Sequence, residues 1–72
     1  METVLVVFFK PSGKYYTEEQ VPMPYRGEGE PVSYFKECLK NYLNGRLRDM
    51  VAVCIEPNHK FSYPIMVKVE NL

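Results

Sequence analysis

The chain has 72 residues and a mass of 8.5 kDa, a size that fits a single domain over residues 1–72. Hydrophobic residues make up 46% and charged residues 25% of the sequence, a composition that excludes an intrinsically disordered chain. Nine basic and nine acidic residues give a formal net charge of zero, which excludes a strong overall field for nucleic acid or anionic membranes.

The two cysteines, Cys38 and Cys54, are too few for the dense disulfide framework of a small secreted domain. Each lies in a stretch with a regular apolar pattern, so we interpret both as small buried side chains in a reducing compartment. The apolar run over residues 4–9 is too short to span a membrane, and no leader-like pattern flanks it. We therefore expect a cytoplasmic protein.

Two strands are predicted at the start of the chain. Residues 3–9 are β-branched and aromatic, and Pro11 and Gly13 predict the turn that ends this strand. Residues 14–21 alternate moderately, with the odd-numbered residues from Tyr15 to Val21 on one side. This pattern predicts a second, antiparallel strand, and its charges favour an edge position.

A connector over residues 22–30 contains two prolines and two glycines, which exclude regular structure there. Pro31 is suited to the first position of a helix, and Asn44 with Gly45 predicts its end. Between them an apolar stripe recurs at helical spacing, formed by Val32, Phe35, Leu39, Tyr42 and Leu43.

Two further strands follow the helix. The continuous apolar run over residues 50–55 predicts a buried strand, and residues 60–69 alternate between apolar and polar side chains. Pro64 cannot donate a hydrogen bond, so the last strand should lie at an edge or carry a bulge. The predicted fold class is α+β, with element order ββαββ. We expect a four-stranded antiparallel sheet in the order 2-1-3-4 with one helix packed on one face.

The central strands of this sheet are apolar on both faces, which normally requires a covering layer on each side. One helix covers only one face, and the sequence does not indicate which. Three alternatives remain for the other face: the connector folds over it, a second copy covers it in a homodimer, or it binds a protein partner.

The sequence contains no recognisable catalytic, metal or cofactor site, so we expect a protein that is not an enzyme. His59 is the single histidine, and strand rise alone should separate it from Cys54 by about 15 Å. Glu18 and Glu19 are adjacent on a strand, so they should point to opposite faces and cannot act as a carboxylate pair.

Two groups of residues are candidate contacts with other molecules. The acidic connector is a candidate partner-binding loop, through Met23, Tyr25, Arg26 and Glu28. The predicted topology also gathers basic residues at one end, where phosphate groups or an acidic partner could bind: Lys10, Lys14, Lys40, Arg46 and Arg48. Nucleic-acid binding through this basic end is the alternative to protein binding.

Residues 4–19, with Phe8-Phe-Lys-Pro-Ser-Gly-Lys-Tyr-Tyr16 at their centre, resemble the start of small bacteriophage proteins that have no assigned activity. The stretch Pro57-Asn-His-Lys and the pair Tyr63-Pro64 are similar as well. The resemblance contains no catalytic motif. It implies a phage-encoded protein in the host cytoplasm that binds a host or phage protein stoichiometrically, such as an inhibitor of a defence protein.

Overall fold

The computed structural model describes residues 2–25, 29–56 and 64–72. Its strands and helix, in chain order, are β1 (Thr3–Phe9), β2 (Tyr15–Pro22), α1 (Pro31–Leu43), β3 (Val51–Glu56) and β4 (Ile65–Lys68). A short 3-10 helix follows at Val69–Asn71. The strands form one antiparallel sheet in the order β2-β1-β3-β4, so the predicted fold class and strand order are confirmed.

The last strand is shorter than the pattern predicts. In the described part it begins at Ile65, directly after Pro64, and it lies at the edge of the sheet as the proline requires. Val69 leaves the strand for the 3-10 helix, although its N–H still donates to the Met50 carbonyl at 3.0 Å. The predicted start of this strand and the turn with His59 lie outside the described residues.

Side-chain and backbone caps set the limits of α1. The Glu30 carboxylate accepts hydrogen bonds from the backbone N–H groups of Val32 at 3.2 Å and Ser33 at 3.1 Å. Both bonds lower the pKa of Glu30, and the bond from Val32 has the larger effect. At the other end, Asn44 adopts the left-handed conformation with φ 49°, and its N–H donates to the Lys40 carbonyl.

The helix packs on one defined face of the sheet. Phe35, Leu39 and Leu43 are buried in one cluster with alternate residues of β1, namely Val4, Val6 and Phe8. Val7 is also buried, but it does not belong to this cluster. Because successive side chains on a strand point to opposite faces, Leu5, Val7 and Phe9 lie on the other face. The face that the helix covers is therefore the one with Val4, Val6 and Phe8.

We expect Leu39→Ala to lower the free energy of unfolding by about 2–5 kcal/mol, because it removes a fully buried side chain between helix and sheet. Chemical denaturation followed by circular dichroism measures this change. The control is Lys36→Ala, at an exposed position on the same helix. Equal unfolding midpoints for the two variants would contradict the packing of α1 described above.

Candidate functional site

The sheet face opposite α1 is named here the open face. Its centre is apolar: Val7 of β1 pairs with Val53 of β3, and Phe9 pairs with Val51. Leu5 extends the row along β1. Residues paired across a sheet share a face, so these five side chains form one continuous surface. No described helix or connector residue belongs to it.

The margins of the open face are polar and carry opposite charges. On β2, Glu18 pairs with Val7 and Gln20 pairs with Leu5. On β4, Met66 pairs with Val53 and Lys68 pairs with Val51. Met66 is 70% exposed, although it is a large apolar side chain. The open face therefore has an apolar centre, an acidic margin along β2 and a basic margin along β4.

A β-bulge adds an aromatic residue to this face. The register of β2 shifts between Phe8 and Phe9, so that Tyr15 pairs with Phe9 while Thr17 pairs with Phe8. The expectation that Tyr15 shares a side with Val21 is therefore wrong. Tyr15 donates a hydrogen bond to the Glu18 carboxylate at 3.2 Å, and partial desolvation together with this bond raises the pKa of Tyr15.

The expected exposure of Met23 and Tyr25 is wrong, because both are buried in the cluster under α1. The Met23 N–H donates to the Glu2 carbonyl at 3.0 Å, so the pairing of β2 continues for one residue beyond Pro22. Met23 then points to the helix side, as Val21 does. Tyr25 packs its ring 5.2 Å from that of Tyr34. The other predicted loop contacts, Arg26 and Glu28, lie outside the described residues.

The burial of Met23 and Tyr25 also shows on which side of the sheet the described part of the connector lies. Met23 and Tyr25 lie on the helix side of the sheet, and the Tyr25 hydroxyl donates to the Gly29 carbonyl at 2.9 Å. The described part of the connector therefore does not cover the open face. This finding concerns residues 22–25 and 29–30 of the connector, and a second copy or a protein partner on the open face stays a prediction.

The predicted basic end forms, but acidic groups are interspersed in it. Lys10 and Lys14 lie in the β1–β2 turn, where the Lys10 N–H donates to the Lys14 carbonyl. A hollow of about 730 Å³ places Lys10 beside Asp49, Lys68 and Glu70. A second hollow of about 190 Å³ is lined by Lys40, Arg46, Arg48 and the same Glu70. The end is therefore a mixed-charge surface and not a continuous basic patch.

Arg46 lines the second hollow, and its charge is also paired with that of Glu19. Its guanidinium donates to Glu19 Oε1 at 3.0 Å and lies 5.6 Å from the centre of the Tyr42 ring. The Tyr42 hydroxyl donates to the same Glu19 oxygen at 2.7 Å. The bond from Arg46, then that from Tyr42, lowers the pKa of Glu19, and the bond to Glu19 raises the pKa of Tyr42. This cluster joins α1 to β2.

Sequence reasoning missed this cluster, although one signal for it was present. Glu19 lies between Thr17 and Val21 at an alternate position of β2, so its side chain points to the helix side and needs a polar partner there. Glu18 points to the open face, so the two adjacent carboxylates lie on opposite faces of the sheet, as predicted.

The described residues include potential metal ligands and thiols. They contain no group of three or more His, Cys, Asp or Glu side chains that could hold a metal ion. Neither Cys38 nor Cys54 forms a disulfide. Cys54 is buried, and burial raises the pKa of the half-buried Cys38. In the part of the chain that the structure describes, no helix has the length and apolarity that a membrane crossing needs.

Met23→Ala should lower the free energy of unfolding by about 2–5 kcal/mol, because it empties a fully buried position. Met66→Ala is the matched control, since the same change at a side chain that is 70% exposed removes little packing. Thermal or chemical unfolding of both variants measures the difference. If Met23→Ala is as stable as Met66→Ala, the described burial of Met23 is wrong.

The contact between Glu19 and Arg46 predicts a pH dependence of stability. Because the folded protein lowers the pKa of Glu19, the ionised carboxylate stabilises it above the unfolded pKa, and this contribution is lost as the pH falls through the folded pKa. We expect wild type to be more stable than Glu19→Gln near neutral pH, and the difference to shrink as the pH falls below about 5 and through the folded pKa of Glu19. Tyr42→Phe should show part of the same effect.

Urea unfolding across this pH range measures the dependence. Glu30 is present in both proteins, so its own contribution cancels in the comparison of wild type with Glu19→Gln. Parallel stability curves for the two proteins would show that the Glu19 contact contributes nothing to folding.

Comparison of the chain with protein-family models, with curated proteins and with solved structures finds no match. The resemblance of residues 4–19 to small phage proteins therefore stays a prediction. What the protein does has to be inferred from its own surface.

Proposed function

We propose that the protein is a non-catalytic protein-binding module that binds through the open face of its sheet. One observation carries this proposal: the two central strands present an apolar surface that no described element of the chain covers. Central strands with two apolar faces normally lie between two layers. A contiguous apolar patch with a polar rim is typical of an interaction site.

The residue types on this face support binding to another protein. Phe9, Tyr15 and Met66 belong to the classes enriched at protein interfaces, and Tyr15 and Met66 are more than half exposed. A broad pleated surface suits another protein surface better than a small molecule, because small ligands require concave sites that enclose them. Binding of this kind is stoichiometric, as the resemblance to phage proteins implies for an inhibitor of a defence protein.

We also propose that the protein is located in the cytoplasm. Neither Cys38 nor Cys54 forms a disulfide, as is usual for cysteines in a reducing compartment. Nucleic-acid binding through Lys10, Lys14, Arg46 and Arg48 is the weaker alternative, since Glu19 binds Arg46, and Asp49 and Glu70 lie in the same region.

The test of the open face is a fluorescent dye that binds exposed apolar surface. We expect the folded protein at low concentration to bind the dye, and Val53→Glu to reduce that binding severalfold, because it places a charge at the centre of the face. The control is Asn41→Glu, which adds the same charge at an exposed position of α1.

Circular dichroism of each variant checks that the fold is retained. Dye binding that is equal in wild type, Val53→Glu and Asn41→Glu would contradict an accessible apolar face and, with it, the proposed function. Dye binding lost in Val53→Glu alone would support it.

A further inference from the structure

We propose that the open face binds a second copy of this chain, with the two sheets packed face to face about a twofold axis parallel to the strands. The inference rests on the proposed function, because it names the partner of the same surface. Sheets that pack in this way hold their strands roughly aligned and interdigitate the side chains of their inner faces. The twofold axis has to lie in the plane between the sheets, either along the strands or across them.

The charges on the two margins select the axis along the strands. Glu18 lies on the β2 margin and Lys68 lies on the β4 margin, on opposite sides of the apolar centre. Rotation about an axis along the strands places β2 above β4 of the partner subunit, so each acidic margin meets a basic one. Rotation about an axis across the strands places β2 above β2, which brings like charges together at a cost.

The register brings the two charges within reach of each other. Glu18 lies in one row with Val7, Val53 and Met66. In the proposed dimer it therefore lies above the partner's Met66. The partner's Lys68 is two residues further along β4, about 7 Å away by strand rise, a distance that a lysine side chain spans. The same rotation places Val7 above Val53 of the partner subunit, at the apolar centre.

Both charged groups are available for this contact. Glu18 and Lys68 are exposed, and neither forms a salt bridge with another residue in the described part of the chain. Within the described residues, the Glu18 side chain accepts one hydrogen bond, from the Tyr15 hydroxyl. The carboxylate keeps acceptor positions for a lysine of the second copy.

The size of the face predicts how tight the dimer is. Four strands lie about 4.8 Å apart, and each contributes a length of about five residues to the face. The projected area is therefore about 350 Å² per subunit. Stable dimers bury about 600–1,000 Å² per subunit, so this interface lies below that range. We therefore expect a dimer that dissociates on dilution in the micromolar range or above.

Light scattering after size exclusion, over a roughly hundredfold range of concentration, measures the equilibrium. Wild type should rise from 8.5 kDa towards twice that mass. Glu18→Lys and Lys68→Glu should each raise the dissociation constant by about tenfold or more at low salt, because each turns two attractive contacts into repulsive ones. The double variant Glu18→Lys/Lys68→Glu should restore the wild-type value.

The matched control is Glu37→Lys, which makes the same charge reversal at an exposed position on α1 and should leave the dimer unchanged. Single reversals without effect, or a double variant that stays as weak as the single ones, would overturn the proposed arrangement. A wild-type mass of 8.5 kDa at every concentration would overturn the second copy as partner. If the protein is a monomer but Val53→Glu abolishes dye binding, the open face is still an interaction surface and the proposed function holds. If Val53→Glu leaves dye binding unchanged, both the dimer and the proposed function are wrong.

Discussion

One constraint governs this molecule: a single helix of 13 residues lies against a four-stranded sheet whose central strands are apolar on both faces. An α-helix is about 10 Å wide, so α1 together with its connector provides one covering layer. The consequence is an asymmetric protein, with a packed face on one side and an apolar face without described cover on the other. Both the core and the proposed interaction surface follow from this division.

The covered side uses more of the chain than its helix. Met23 and Tyr25 continue the inward pattern of β2 and close the core beside α1, where the ring of Tyr25 meets that of Tyr34. Glu19, Tyr42 and Arg46 form a polar cluster at the border of the same layer and tie the helix to the edge strand. These contacts hold the connector and Arg46 on the helix side of the sheet. The open face is the surface that combines an apolar centre with two separated charges.

Much of the fold could be predicted because its signals are local. β-Branched runs indicate strands, Asn44 with its left-handed backbone ends the helix, and the polarity of β2 marks it as an edge. The site was less predictable. Prolines and glycines predicted that the whole connector is irregular and accessible, but Pro22 still belongs to β2 and the strand pairing reaches Met23. Met23 is buried because the pairing of β2 continues past Pro22, and Tyr15 faces the open side because a bulge shifts the register between Tyr15 and Thr17.

The amino-acid sequence by itself determined the element order, the strand order and the presence of two apolar faces, since these depend on the type and periodicity of neighbouring residues. Only the tertiary structure decided which face α1 covers, because Val6 and Val7 are equally suited to a core and the choice depends on how the helix packs. It also decided that Arg46 binds Glu19 and that Glu18 and Lys68 border the open face on opposite sides. These relations join residues far apart in the chain, and they arise from strand pairing and helix docking, which bring such residues together in space.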